Sequence, residues 1–488
     1  MTARERDPSL TLLTDFYELS MMQGYFLHQR NPHVVFDLFF RRAPFGGGFS
    51  VFAGLETALR FVQDIRFTEE DIAYLRGLGT FRPEFLHYLE GMRFRGDIWA
   101  MEEGTLAFPG EPLLRVHATL IEAQLLESAL LAIVNFQTLI ATKAARVRLA
   151  ANGRSVIEFG LRRAQGIDGA LSASRAAFIG GVSATSNTLA GKRFSIPVRG
   201  TMAHSWVMVF ENEREAFERY ADAYPDNALL LIDTYDTLGS GLQNAVAVGR
   251  RLKAAGHRGF GVRLDSGDLE YLSKRVRARL DAEGLADALI VASNDLDEAI
   301  IHQLITRGAP IDVWGVGTNL VTGAGDPALT GVYKLAARER ERDGIFEPTI
   351  KVSNNPEKVT NPGVKQVWRF VTPEGSPLAD LICLEDETLE TGRPYTFHHP
   401  HGDYRSFTLR EYGRMTALLK RWMTAGEIVG ELPSLPDLQA RTLRHLQALD
   451  ETYKRLINPH DYKVSLSSRL SELKAGLIRQ HLTQGEGS

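Results

Sequence analysis

The sequence predicts an α/β protein centred on an irregular (β/α) barrel of seven to eight parallel strands. Two observations carry this. Short, continuous apolar runs recur through the middle of the chain, as strands buried on both faces require. Between them lie amphipathic stretches opened by Ser or Asp and closed by Gly, the start and stop signals of helices. Seven or eight such units in succession favour a barrel, with an open doubly wound sheet as the alternative. No GxGxxG follows any of these strands, so a dinucleotide-binding sheet has little support.

The elements follow in order. Val156–Gly160 (VIEFG) and Ile196–Thr201 (IPVRGT) read as strands, and Gly181–Ala184 as a weaker one. Ala228–Asp233 (ALLLID) is a buried strand, and the helix after it starts near Ser240 and stops at Gly256. Gly259–Asp265 (GFGVRLD) comes next. Asp268 then caps a helix with Leu269, Leu272, Val276 and Leu280 on one face, ending at Gly284. Ala288–Ser293 is followed by a helix from about Asp295 to Arg307, closed by Gly308, and Ile311–Val316 is a further strand. Gly331–Leu335 or Thr349–Ser353 supplies the last.

Upstream, Thr119-Leu120-Ile121-Glu122 is a capping-box pattern opening a long apolar helix that ends near Gly153. Lys143, Arg146 and Arg148 fall late in it, where the helix dipole favours cations. The stretch before it mixes helices (Leu55–Phe67, Thr68–Leu78) with strand-like Val34–Phe40 and Leu113–Ala118, an α+β arrangement. The β/α rhythm is lost in the tail, which ends in amphipathic helices such as Ala440–Leu456. The boundaries implied are 1–120, 121–350 and 351–488.

Composition narrows the function. Of 488 residues, 44% are hydrophobic and 24% charged, ample for a large core and against a disordered chain. Lys and Arg number 56 against 60 Asp and Glu, a net charge of -4, so nothing attracts nucleic acid or anionic lipid globally and an anion site must be local. The one cysteine, Cys383, excludes an internal disulfide and a multi-cysteine metal site. Met1 to Pro8 is charged and lacks a signal peptide's apolar stretch, and no segment is expected to span a bilayer. The expectation is a cytoplasmic protein with no nucleic-acid or membrane partner.

In a parallel barrel, ligand groups gather at the C-terminal strand ends. Here those ends carry Glu158, Arg162 and Arg163; Ser186 and Asn187; Thr201, His204 and Ser205; Asp233, Thr234 and Asp236. Arg263, Asp265, Ser266 and Asp268 follow, then Ser293, Asn294 and Asp295, and last Gly315, Gly317, Thr318 and Asn319. Asp268 and Asp295 are explained as helix caps. Capping does not explain Arg263 on a buried strand or the pair Arg162–Arg163, because buried arginine needs a partner or an anionic ligand. Trp314-Gly315-Val316-Gly317-Thr318-Asn319 offers glycines and a hydroxyl where such barrels often cradle phosphate, and Gly323-Ala324-Gly325 extends it. Gly46-Gly47-Gly48 after Arg41-Arg42 is an anion loop or a linker. His204 suits a base or a nucleophile that forms a covalent intermediate. No HExxH supports zinc, while Asp233, Asp236, Asp265 and Asp268 suit Mg2+ held partly by substrate phosphates.

Several ordered segments together resemble the nicotinate phosphoribosyltransferases, and the likeness runs through most of the chain. They are Leu12–Phe26, Phe39–Glu56, EFGLRRAQG (Glu158–Gly166), SNTLAG (Ser186–Gly191), GTMAHS (Gly200–Ser205) and LIDTYDT (Leu231–Thr237). GVRLDSGDL (Gly261–Leu269), GVGTNLVT (Gly315–Thr322) and PEKVTNPGVKQVWR (Pro356–Arg369) complete the set. The resemblance implies a seven-stranded barrel variant, an N-terminal α/β sandwich domain, a C-terminal extension packing on both, and a homodimer with shared active sites. It implies that nicotinate, 5-phosphoribosyl-1-pyrophosphate, ATP and water give nicotinate mononucleotide, pyrophosphate, ADP and phosphate in NAD salvage, with Mg2+ as cofactor.

By motif, His204 resembles the histidine that ATP transiently phosphorylates, with Asp265 beside it in the catalytic set. Tyr17 (reaching in from the neighbouring subunit), Thr201, Arg263 and Arg162 resemble nicotinate contacts. Thr318, with Gly315, Gly317 and Ser205, resembles the phosphoribosyl and phosphate site, and Asp233, Asp265 and Asp268 are the candidates to act through Mg2+. Nicotinamide phosphoribosyltransferase is the nearest rival, disfavoured by the match of GTMAHS and GVRLDSGDL to the nicotinate branch. A quinolinate-using relative is typically shorter and uses no ATP. A catalytically dead, ligand-sensing barrel is the rival of another class, and the intact His204, Arg263, Asp265 and Thr318 stand against it.

Overall fold

Six of the apolar runs form one parallel sheet in a computed structural model, which describes residues 9–340, 344–402 and 405–485. The strands are β1 (Ser155–Glu158), β2 (Ala184–Thr185), β3 (Ala228–Leu231), β4 (Phe260–Leu264), β5 (Leu289–Ala292) and β6 (Val313–Val316). Their order is β2-β1-β6-β5-β4-β3, every pair is parallel, and the sheet is curled into half a barrel. Val156, Leu230, Val262, Leu264, Ile290, Trp314 and Val316 are fully buried, as two covered faces demand.

The expected count of seven to eight strands is corrected at three places. Ile196–Thr201 is reduced to one parallel bridge, Val198 with Thr185. Pro197 there has no N–H to donate, and only its carbonyl joins, accepting from the Thr185 N–H at 3.0 Å. The 331–335 stretch belongs to Gly331–Glu339, which pairs antiparallel with His33–Phe40 in a different sheet. Residues 349–353 form no strand.

Helix signals in this region read through well. Asp268 Oδ1 accepts from the Tyr271 N–H (3.0 Å) at the start of Leu269–Ala282. The helix Glu298–Thr306 is capped by Asp297, not by Asp295: Asp297 Oδ1 accepts from the Ile300 N–H at 2.8 Å. Gly256, Gly284 and Gly308 follow their helices with φ of 89°, 74° and 76°, the left-handed stop that glycine adopts at no steric cost.

By compactness the chain divides into two units. One is Ile140–Pro327 with Leu435–Ala440; the other comprises the described parts of Met1–Leu139, Ala328–Ser434 and Arg441–Ser488. The second unit thus holds both the first and the last described residues. It contains an antiparallel sheet in which His33–Phe40 lies between Leu114–Thr119 and Gly331–Glu339. A second six-stranded sheet is built from the tail, including Lys365–Val371 and Pro377–Leu384, a region to which the sequence reading assigned no strand. Its core joins Val34, Leu38, Phe40, Phe85, Val116, Val367 and Ile382, all at most 1% exposed.

The capping box at Thr119 does not form. Thr119 makes no side-chain cap bond, and Glu122 accepts from the Arg95 N–H at 3.1 Å instead. The helix also breaks at Leu126, between Leu120–Leu125 and Glu127–Ala150. Against the expectation that no segment could span a bilayer, Glu127–Ala150 is long and apolar enough by length and composition, but 67% of its most apolar window is buried inside the protein. Its Lys143 and Arg146 owe less to the dipole than to Glu298, which they flank in a buried ion triad at 2.7 and 3.0 Å.

Candidate active site

The C-terminal ends of β3, β4 and β5 bring one connected polar network together. Arg263, the fourth residue of β4, points into it with 13% of its side chain exposed. Its guanidinium donates to Thr201 Oγ1, and Nη2 lies 3.7 Å from Asp265 Oδ2. Arg263 Nε is buried with no partner. Burial pulls this guanidinium below its ordinary pKa, Asp265 and Asp233 push back, and the nearby charge of Arg162 pulls it down again. An anion bound beside Arg263 would offset both its burial and the like charge of Arg162.

His204 opens the short helix His204–Val209 and is 41% exposed. Nδ1 is hydrogen-bonded to Thr234 Oγ1 (3.1 Å), just beyond β3, which leaves Nε2 facing Asp265 Oδ2 at 3.8 Å. Asp233 Oδ2 accepts from the Asp265 N–H (2.9 Å) and from Ser266 Oγ (2.6 Å), while its Oδ1 is buried without a partner. Ser293, the residue after β5, donates to Asp265 Oδ1. Neither Thr234 nor Ser293 carries a signal that distinguishes it from a helix cap; only the register of adjacent strands gives them this role.

The remaining candidates divide. Thr201 and Arg263 meet directly, and Arg162, exposed on the turn Leu161–Arg163, is near enough to perturb Arg263. Asp268 is spent on its helix cap and Asp236 on the Gly239 N–H (3.0 Å). Ser205 is exposed beside His204. Thr318, half-buried, starts the short helix Thr318–Val321 beyond β6.

Gly315 has a packing cause, since a methyl there would sit 2.6 Å from the ring of Phe159, a residue the sequence reading passed over; at Gly317 it would meet the Phe159 carbonyl at 3.1 Å. Glu158 faces inward, accepting from Ser174 (2.9 Å) and Thr185 (2.5 Å). Tyr17 stands in the other compact unit, exposed on Phe16–Leu27, where burial and then Glu127 and Glu18 raise its phenol. In that unit Gly48 also has a packing cause, its Cβ position lying 2.5 Å from the Tyr453 carbonyl. Among the described residues, no group of three or more His, Cys, Asp or Glu could hold a metal by itself.

A parallel α/β sheet whose strand ends converge a buried arginine, a histidine and two aspartates defines an enzyme for small anionic substrates. The comparisons give the particular family. Models of the nicotinate phosphoribosyltransferase N-terminal domain, family region and C-terminal domain match residues 12–135, 155–363 and 364–474. A Bacillus subtilis nicotinate phosphoribosyltransferase is 45% identical over 469 residues, covering 95% of this chain and 94% of its own. The human enzyme is 36% identical over 534 residues, covering 96% and 98%. A crystal structure of human nicotinic acid phosphoribosyltransferase superposes with a TM-score of 0.83 at 34% identity, covering 95% of this chain and 99% of that one. The chain belongs to the nicotinate phosphoribosyltransferase family.

Proposed function

We propose that this chain transfers the phosphoribosyl group of 5-phosphoribosyl-1-pyrophosphate to nicotinate, forming nicotinate mononucleotide, with ATP hydrolysis coupled through a phosphohistidine at His204. The observation that carries the substrate assignment is Arg263: a buried guanidinium with an unpartnered Nε, held by Thr201 and pulled down by burial. Nicotinate presents a carboxylate that such a fork binds, and nicotinamide does not. Arg162 adds a second charge from the rim.

The pyridine nitrogen needs no general base, so the work of the site is positioning and electrostatic stabilisation of a cation-like ribose centre. Thr234 on Nδ1 holds the imidazole so that Nε2 is the nitrogen free to take a phosphoryl group. Thr318, Ser205 and the loop of Gly315 and Gly317 are read as the phosphoribosyl side. Mg2+ fits the donor set through Asp233, whose buried Oδ1 has no partner, and through Asp265, whereas Asp268 is occupied by its cap. Held there, Mg2+ would supply positive charge to the phosphate oxygens of the substrate. The curled sheet is read as a seven-position barrel with Val198 at the seventh place, and Tyr17 as the residue that completes a partner's site in a homodimer.

The test is product formation from nicotinate, phosphoribosyl pyrophosphate and Mg2+, with and without ATP, with nicotinamide in parallel. Product from nicotinate strengthened by ATP, and loss of that gain with retained slow transfer in His204→Ala, is the expected result. Product from nicotinamide alone overturns the assignment, and full ATP stimulation in His204→Ala overturns the phosphohistidine.

A further inference from the structure

Asp265 stands between the histidine and the arginine. Its Oδ2 lies 3.8 Å from His204 Nε2 and 3.7 Å from Arg263 Nη2. Both distances exceed a direct hydrogen bond, so this oxygen is committed to neither. The carboxylate is held at that midpoint by its other oxygen, which accepts from Ser293 Oγ.

Ser293 is built for this. It is 4% exposed, so bulk water does not substitute for its hydroxyl. The other acceptor in reach, the Leu264 carbonyl, is 3.5 Å from Oγ and already takes the Ser293 N–H at 2.9 Å. The next residue, Asn294, has φ of 110°, a costly backbone for an L side chain that persists only where its surroundings impose it. The main chain of Asp265 is anchored independently through Asp233 at 2.9 Å. The end of β5 therefore delivers a hydroxyl to one chosen oxygen.

We infer that Ser293 is a positioning residue of the reaction: by occupying Asp265 Oδ1 it stops the carboxylate from closing onto Arg263 and keeps Oδ2 shared with His204. This rests on the reading of Arg263 as the nicotinate clamp and His204 as the phosphoryl carrier. Without the hydroxyl, Asp265 rotates into a two-point pair with the guanidinium. It then competes with nicotinate for Arg263 and withdraws from the histidine, so one lost hydrogen bond damages both nicotinate affinity and ATP coupling.

The experiment compares Ser293→Ala, Ser293→Cys and Ser293→Thr with the wild type, reading nicotinate KM, kcat and the ADP formed per nicotinate mononucleotide. Cysteine keeps the volume with only a weak donor, and threonine keeps the hydroxyl. The alanine and cysteine variants are expected to raise nicotinate KM by about tenfold to a hundredfold, the range for losing a hydrogen bond to a charged group. They should also change the ADP-to-product ratio, while threonine keeps both near wild type. Should alanine fail to fold, the cysteine variant decides. Wild-type KM and coupling in the cysteine variant overturn the inference. A wild type that gains nothing from ATP overturns the parent reading instead, and is seen before any variant is made.

Discussion

Replacing Arg263 by alanine should remove nicotinate use far more than it removes anything else. The side chain is 13% exposed, so a carboxylate paired with it is largely desolvated. Truncating one partner of a buried, hydrogen-bonded charge pair costs about 2–5 kcal/mol. At about 1.4 kcal/mol per factor of ten, that is a loss of roughly thirty- to several-thousandfold in kcat/KM. Part of the loss is not specific to nicotinate, because Asp265 and Asp233 also lose the cation that balances them. The assay therefore compares nicotinate with nicotinamide, which differ only in the group that Arg263 faces. The ratio of their kcat/KM values should collapse in Arg263→Ala. Arg263→Lys should recover charge but not the two-point fork, and so only part of the ratio. The reasoning is refuted if kcat/KM for nicotinate stays within threefold of wild type, or if both substrates fall by the same factor.

Two further outcomes test the fold around the site and the acid limit of stability. His445, its Nδ1 3.2 Å from the Gly104 carbonyl, is held down to about 4 by burial and then by the Arg369 charge. The unfolded chain takes up this proton near pH 6.5, so stability is complete above that pH and falls as pH drops toward 4, by at most about 3 kcal/mol. His445→Gln should flatten part of that loss in denaturant titrations at pH 7 and 5, with His117, held down to about 3, and His399 and His401, also held down, among the groups that supply the rest; an unchanged slope sinks the assignment. Gly315→Ala places a methyl 2.6 Å from the Phe159 ring, and overpacking of this kind costs about 1–3 kcal/mol. A lower melting temperature and slower product formation are expected, and a variant equal to wild type in both means the ring gives way freely.

The later strands of the parallel sheet, from Ala228 to Val316, were legible because each is a continuous apolar run, and their helices because Asp268, Gly256, Gly284 and Gly308 act locally. The tail was not. Lys365–Val371 and Pro377–Leu384 form a sheet with Val464–Leu466, some 80 residues further on, and no local period encodes such a pairing. Thr119 failed as a capping box because Glu122 found a better donor in Arg95. In the site, Arg263 could be singled out because buried arginine is anomalous on its own strand. Ser293 and Thr234 could not, since a hydroxyl after a strand looks the same whether it caps a helix or holds a catalytic carboxylate. That a side chain at Gly315 would also meet the ring of Phe159 was not legible, because the sequence places the two more than 150 residues apart.

If Arg263 is the nicotinate clamp proposed above, discrimination against the neutral amide can rest on one arginine. The charge on Arg263 stands against its surroundings: burial lowers its pKa, and Asp265 and Asp233 only partly restore it. Neither carboxylate makes a direct two-point pair with it, Asp265 being held off at 3.7 Å. An incoming carboxylate supplies what the guanidinium lacks, whereas an amide must be desolvated with little in return. Arg162, exposed on its turn, is screened by water, so on this reading it would contribute attraction at a distance more than affinity. On the proposed reading, selectivity rests on Asp265 standing near enough to offset the burial of Arg263 and far enough not to satisfy it, with the hydrogen bond from Ser293 setting that distance.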